Sequence, residues 1–150
     1  LTSTWAAVAS VLHYEYGRWL LLLGIAIVAL ADVGGYIAGN LFGKRKLAPI
    51  VSPGKTWEGF AGGIFFQLLL IAGLAAVFPQ LALSSLFILI IPVALYSVLG
   101  DLFESMLKRH SGVKDSSQLL PGHGGLLDRI DGIMAALPLF ALLLSLTSPF

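Results

Sequence analysis

Four apolar stretches, each near the ~20 residues that a helix needs to cross a bilayer, restrict this chain to very few architectures. They run from Trp19 to Leu41, Trp57 to Phe78, Leu81 to Leu102 and Leu126 to Thr147. Alternation of apolar and polar residues with period 2 is missing, which argues against a transmembrane barrel and for helices. Composition agrees, because 57% hydrophobic and 11% charged residues leave too little polar surface to cover a soluble globule of 150 residues. The expectation is an all-α, polytopic transmembrane helix bundle with about four spanning helices, forming a single domain over residues 1–150.

The minor features fit that frame. Leu1 to Leu12 reads as the end of an earlier span or as an interfacial helix, and Trp5, Tyr14, Tyr16 and Trp19 suit a membrane–water boundary. Pro92 and Pro138 fall inside spans, where neighbouring helices can satisfy the freed backbone groups. Cysteine is absent, so there is no disulfide framework, thiolate metal site or thiol nucleophile. The chain starts at Leu1 without a charged segment leading to a cleavage site, so no signal peptide is expected, and it reads as the C-terminal portion of a longer protein. No internal repeat or long linker divides it.

Charge placement sets the expected orientation. Of nine Lys and Arg, Lys44, Arg45, Lys46 and Lys55 lie between the first two spans, and Lys108, Arg109 and Lys114 between the last two. The turn at Pro79 and Gln80 has none. By the positive-inside rule both basic loops face the cytoplasm and the C-terminus lies outside. A net charge of +1 gives no reason to expect nucleic acid.

The span ends carry the polar groups. Asp101, Ser105 and Lys108 stand at i, i+4 and i+7, so a helix continuing past the third span puts them on one stripe, with Glu104 beside it. Asp128 and Asp131, at i and i+3, share a face where the fourth helix begins. Three carboxylates could therefore converge at the cytoplasmic rim, a donor set suited to Mg²⁺, which keeps waters and bridges to phosphates. The plainer alternative is that Asp128 and Asp131 complement the helix dipole while Arg129 and the lysines solvate the rim, which leaves Asp101 unexplained. Asp32, a turn or two inside the first span, shares a face with Gly35 and Gly39. Small residues spaced by four let helices approach closely, so Asp32 can face the bundle interior as a ligand or as the partner of a lysine.

The first basic loop reads GKRKLAPIVSPGKTWEG. Gly54-Lys55-Thr56 imitates a phosphate-binding loop, but that motif needs a glycine where Pro49 stands. What remains is Ser52, Lys55 and Thr56 entering a helix whose N-terminus can hold an anion. Lys44, Arg45 and Lys46 read as topogenic charge or as contacts for anionic membrane lipids. His123 sits between Gly122 and Gly124, which let the backbone turn tightly or approach a ligand closely.

The run Ser105-Met106-Leu107-Lys108-Arg109, then Lys114-Asp115, then Leu120-Pro121-Gly122-His123-Gly124-Gly125-Leu126-Leu127-Asp128-Arg129-Ile130-Asp131 resembles the signature of the phosphatidate cytidylyltransferases, or CDP-diacylglycerol synthases. Asp32, Gly35-Tyr36, Gly39, Phe42-Gly43-Lys44 and Ser52-Pro53-Gly54-Lys55-Thr56-Trp57-Glu58-Gly59 are also similar to motifs of that family. The likeness extends from about Ala31 to Asp131. Members of the family are much longer than this chain.

The resemblance implies a Mg²⁺-dependent enzyme, with a second cation left open, that joins CTP and phosphatidic acid. It implies a multi-pass protein of the cell (inner) membrane, a homodimer, and metal-site carboxylates at Asp101, Asp128 and Asp131. The chemistry is consistent with such a site. Joining two polyanions requires charge neutralisation and in-line alignment, a task suited to Lys108, Arg109, Lys114, Ser52, Lys55 and Thr56. Ser105 and Arg129 are expected beside the substrates, and His123 as a positioning residue. Two alternatives from other classes are a CTP-using membrane transferase or kinase acting on an isoprenoid lipid, and a transporter using Asp32 as a coupling site.

Overall fold

The computed structural model describes residues 2–110 and 127–147, with side chains in the second stretch from residue 132 onward. In chain order the elements are α1 (Thr2–Leu12), α2 (Gly17–Phe42), β1 (Lys46–Ala48), β2 (Ser52–Thr56), α3 (Trp57–Val77), α4 (Leu83–His110) and α5 (Leu127–Thr147). Among the described residues α2, α3 and α4 are long and apolar enough to cross a membrane. The part of α5 with described side chains, Gly132–Thr147, is a shorter apolar helix. Three candidate spans thus stand where the apolar runs predict four. Helix α4 continues past Leu102 to His110, as the spacing of Asp101, Ser105 and Lys108 predicts, and carries Pro92 in its interior.

Lipid tails are as apolar as leucine, so helices in a bilayer gain little from hydrophobic burial and associate through close packing and hydrogen bonds. The seam between α2 and α3 shows how close. A Cβ built on Gly62 would lie 2.7 Å from the Gly34 carbonyl oxygen, one on Gly34 2.8 Å from that of Gly62, and one on Gly59 2.7 Å from that of Gly35. Gly35 and Gly39, the pair legible in the sequence, lie on this seam, and Gly34, Gly59, Gly62 and Gly63 complete it. One turn deeper, fully buried Gln67 donates from Nε2 to the Ile27 carbonyl at 2.8 Å, while its Oε1 has no partner among the described residues. On the other side of α2, Ile27, Leu86, Leu89, Ile90, Phe140 and Leu144 form the dense part of the core. The Thr4 hydroxyl donates to the Met134 carbonyl at 2.9 Å and ties α1 to α5.

The all-α expectation needs one correction. The first basic loop folds as an antiparallel hairpin in which Lys46 pairs with Thr56 and Ala48 with Ser52, with an irregular register between them. Its physical reason is the set of backbone groups left over between two helices. At the end of α2 the Gly43 N–H still reaches the Gly39 carbonyl at 3.0 Å, but its backbone is extended and the helix stops. The strands take up the following groups, and the Trp57 N–H donates to the Arg45 carbonyl at 3.0 Å where β2 passes into α3. Pro53 lies in a strand of a two-stranded ladder, where a missing N–H is tolerated.

Candidate functional site

The site is assembled at the junction of β2 and α3. Thr56 has an extended backbone and is the N-cap of α3, its hydroxyl oxygen accepting from the Gly59 N–H at 3.0 Å. Two residues on, the Glu58 carboxylate accepts from the Lys44 N–H at 3.1 Å and from the Arg45 N–H at 3.2 Å. The chain leaving α2 is therefore fastened to the first turn of α3. Lys55, immediately before the cap, sends its ammonium group to Oδ2 of Asp101 on α4, with both side chains about one quarter to one third exposed. This ion pair puts the hairpin and the C-terminal turns of α4 at the same end of the bundle.

Beneath the hairpin lies a cavity of about 320 Å³. Its walls are Ala31 and Gly35 of α2, Phe60, Gly63 and Ile64 of α3, and Ala94 and Val98 of α4. Ser52, Gly54, Lys55 and Thr56 of β2 cover it. Asp32 and Tyr36 complete the lining from α2, and Asp32 is close enough to Lys55 and Asp101 to interact with both electrostatically. The lining is apolar along α3 and α4 and polar at the hairpin and at Asp32 and Tyr36 of α2.

Most candidates from the first basic loop gather here, whereas those of the second divide. Ser52, Lys55 and Thr56 line the cavity, although the Thr56 hydroxyl also serves the helix cap. Asp101 is paired with Lys55 and lies outside the cavity lining. Ser105 follows one turn later, and Lys108 pairs with Glu104 at 3.2 Å across one turn of α4. Arg109 is exposed. Lys114 and His123 lie outside the described residues, as do the side chains of Asp128, Arg129 and Asp131, whose backbone forms the start of α5.

Among the described residues no group of three or more His, Cys, Asp or Glu is close enough to hold a metal ion. Asp101, the one expected ligand whose side chain is described, is compatible with the role. Its ion pair engages Oδ2, leaving Oδ1 as a hard oxygen donor of the kind Mg²⁺ takes. Two participants escaped the sequence reading. The Glu58 side chain binds backbone groups that carry no sequence signal, and the neighbourhood of Asp32 with Asp101 depends on how α2 and α4 pack.

Comparison with known proteins gives this geometry its context. Residues 2–147 match the profile of the Cytidylyltransferase family, nearly the whole chain. The chain belongs to that family. It is 51% identical over 142 residues to a phosphatidate cytidylyltransferase of Haemophilus influenzae, covering 86% of this chain and 48% of that protein. A phosphatidate cytidylyltransferase of Pseudomonas aeruginosa is 45% identical over 146 residues, covering 96% of this chain and 54% of the relative. One from Staphylococcus saprophyticus is 47% identical over 134 residues, covering 89% and 49%. This cytidylyltransferase-family chain thus spans about half the length of the curated relatives it matches. The family match takes in the hairpin, the cavity and α4, so the site described above lies within it.

Proposed function

We propose that the protein transfers CMP from CTP to phosphatidic acid, forming CDP-diacylglycerol and releasing pyrophosphate in phospholipid synthesis. The observation that carries this reading is the cavity lined by three membrane-length helices and by Lys55, whose ammonium group is paired with Asp101. The names of the relatives point to the same reaction. A phosphatidate oxygen attacks the α-phosphorus of CTP, a new P–O bond forms, and the bond to the bridging oxygen of the β-phosphate breaks as pyrophosphate leaves. A phosphate monoester is mostly ionised near neutral pH, so a strong protein base is not required.

The residues act by charge and position. Lys55 neutralises phosphate charge at the cavity mouth, and Ser52 offers a hydroxyl beside it. Thr56 orients the first turn of α3, and Lys108, Arg109 and Lys114 supply further positive charge, with Ser105 and Arg129 beside the substrates and His123 positioning them. Asp101, Asp128 and Asp131 would hold Mg²⁺, which when bound supplies charge neutralisation and a template for in-line transfer. In this reading α5 is the fourth span of a homodimeric protein of the cell (inner) membrane. The hairpin and the α4–α5 connection face the cytoplasm, where CTP is found.

The decisive experiment is incubation of the purified full-length protein with labelled CTP, Mg²⁺ and phosphatidic acid in mixed micelles. The expected result is labelled CDP-diacylglycerol in the lipid phase, with stoichiometric pyrophosphate. Incorporation into an isoprenoid ether phosphate but not into phosphatidic acid would replace the proposed acceptor.

A further inference from the structure

The hairpin that carries Lys55 is poorly equipped to hold a charge in place. Strand β1 has three residues, only two pairs of residues are in register across the ladder, and the register shifts between them. An isolated two-stranded hairpin is marginal at best in water. The segment Gly43–Arg45 joins it to α2 and lies past the end of that helix and before the first ladder pair. The Gly43 N–H is still held by the Gly39 carbonyl of α2, but those of Lys44 and Arg45 would lack partners from either element.

Glu58 takes them up. Its carboxylate accepts from the Lys44 N–H at 3.1 Å and from the Arg45 N–H at 3.2 Å to one oxygen and 3.4 Å to the other. From the neighbouring residue the Trp57 N–H donates to the Arg45 carbonyl at 3.0 Å. The root of β1 is therefore clamped to the first turn of α3, the same turn in which Thr56 caps the helix. Hydrogen bonds to an ionised acceptor are roughly twice as strong as neutral ones, which suits a clamp at an exposed position. Glu58 is absent from the cavity lining, whereas Lys55 and Thr56, the last two residues of β2, are part of it.

We infer that Glu58 is a positioning residue for Lys55: by binding the backbone between α2 and β1 it fixes the hairpin, so that the Lys55 ammonium stays at the cavity mouth against Asp101. The functional consequence rests on the proposed cytidylyl transfer, but the positional claim does not.

The test uses the full-length protein and a zero-length carbodiimide cross-linker, which couples a lysine amine to a carboxylate only when the two are in contact. Wild type should yield a Lys55–Asp101 cross-linked peptide and, as internal control, a Lys108–Glu104 peptide within α4. In Glu58→Ala the first should fall to a minor fraction while the second is unchanged. Glu58→Gln, which keeps one acceptor oxygen, should lie between. In parallel, Glu58→Ala should lower kcat/KM about 10-fold, and the Lys55→Ala/Glu58→Ala double variant should be no worse than Lys55→Ala alone, as expected when one residue acts through the other.

An undiminished Lys55–Asp101 yield in Glu58→Ala overturns the inference, as do losses in kcat/KM that multiply. If Glu58→Ala cannot be recovered in folded form, a wild-type Lys55–Asp101 yield in Glu58→Gln overturns it. If wild type makes no CDP-diacylglycerol while the cross-link still depends on Glu58, the proposed reaction falls and the positioning role stands.

Discussion

Lys55 of the hairpin, part of the cavity lining, and Asp101 of α4, outside that lining, form an ion pair that joins a residue read as a phosphate contact to one read as a metal ligand. The two roles are compatible in sequence. A lysine held by this carboxylate is kept at the cavity lining, and in turn neutralises the partly exposed Asp101.

Lys55→Ala and Lys108→Ala should each lower kcat/KM by about 10-fold or more, on the order of 1.4 kcal/mol of transition-state stabilisation. Lys46→Ala should cost little, because Lys46 is exposed in β1 and lies outside the cavity lining. Steady-state kinetics on the three variants checks this. Equal losses at all three positions would mean that the basic segment acts as a diffuse surface and not through a discrete site.

How much of this was legible beforehand follows from the range of each interaction. The extents of α2, α3 and α5 follow from continuous apolar runs, and the continuation of α4 follows from polar residues spaced at helical intervals. The hairpin was not legible because its strands are short, interrupted by Pro53 and Gly54, and defined by pairing partners on the far side of a turn. Gly35 and Gly39 could be placed on a packing face by their spacing. Gly62 could not be paired with Gly34, since that depends on the register of one helix against another. Likewise the chemistry of Lys55 and Asp101 could be read separately, whereas their contact is a product of packing.

The α2–α3 seam predicts a contrast between two glycines of the same helix. A Cβ at Gly62 meets the Gly34 carbonyl oxygen, whereas one at Gly73 meets nothing within 4 Å. Gly62→Ala should therefore destabilise by about 1–3 kcal/mol through overpacking. Gly73→Ala should be neutral or stabilising by up to ~1 kcal/mol through helix propensity. Thermal unfolding in detergent separates the two, and a Gly62→Ala midpoint equal to wild type would contradict the close seam.

Orientation is tested by labelling single thiols introduced into a cysteine-free background. Ile50 is 89% exposed in the hairpin turn, and Gln80 is exposed in the turn between α3 and α4. These turns lie at opposite ends of α3. Ile50→Cys should react with a membrane-impermeant reagent only after the cytoplasmic face is opened, and Gln80→Cys in intact cells. The reverse pattern would put the cavity mouth on the side without CTP.

The cation is tested at the start of α5. Asp128→Asn and Asp131→Asn keep side-chain size and remove the charge that a hard divalent ion requires. Turnover should fall by orders of magnitude while the protein still inserts and unfolds near the wild-type temperature. Near-normal turnover of both variants at saturating Mg²⁺ would refute their assignment as ligands.

A pair of substitutions at Thr56 separates its helix cap from its proposed substrate contact. Its hydroxyl caps α3 through the Gly59 N–H, and the residue is part of the cavity lining. Thr56→Val keeps the shape and removes both, which should cost about 0.5–2 kcal/mol of stability for the lost cap and raise KM for the anionic substrate as well. Thr56→Ser restores the hydroxyl and should recover most of both. A Thr56→Val variant with a lowered melting temperature but unchanged KM would assign the hydroxyl to the cap alone, and the phosphate contacts at this end of the cavity would then come from Ser52 and Lys55.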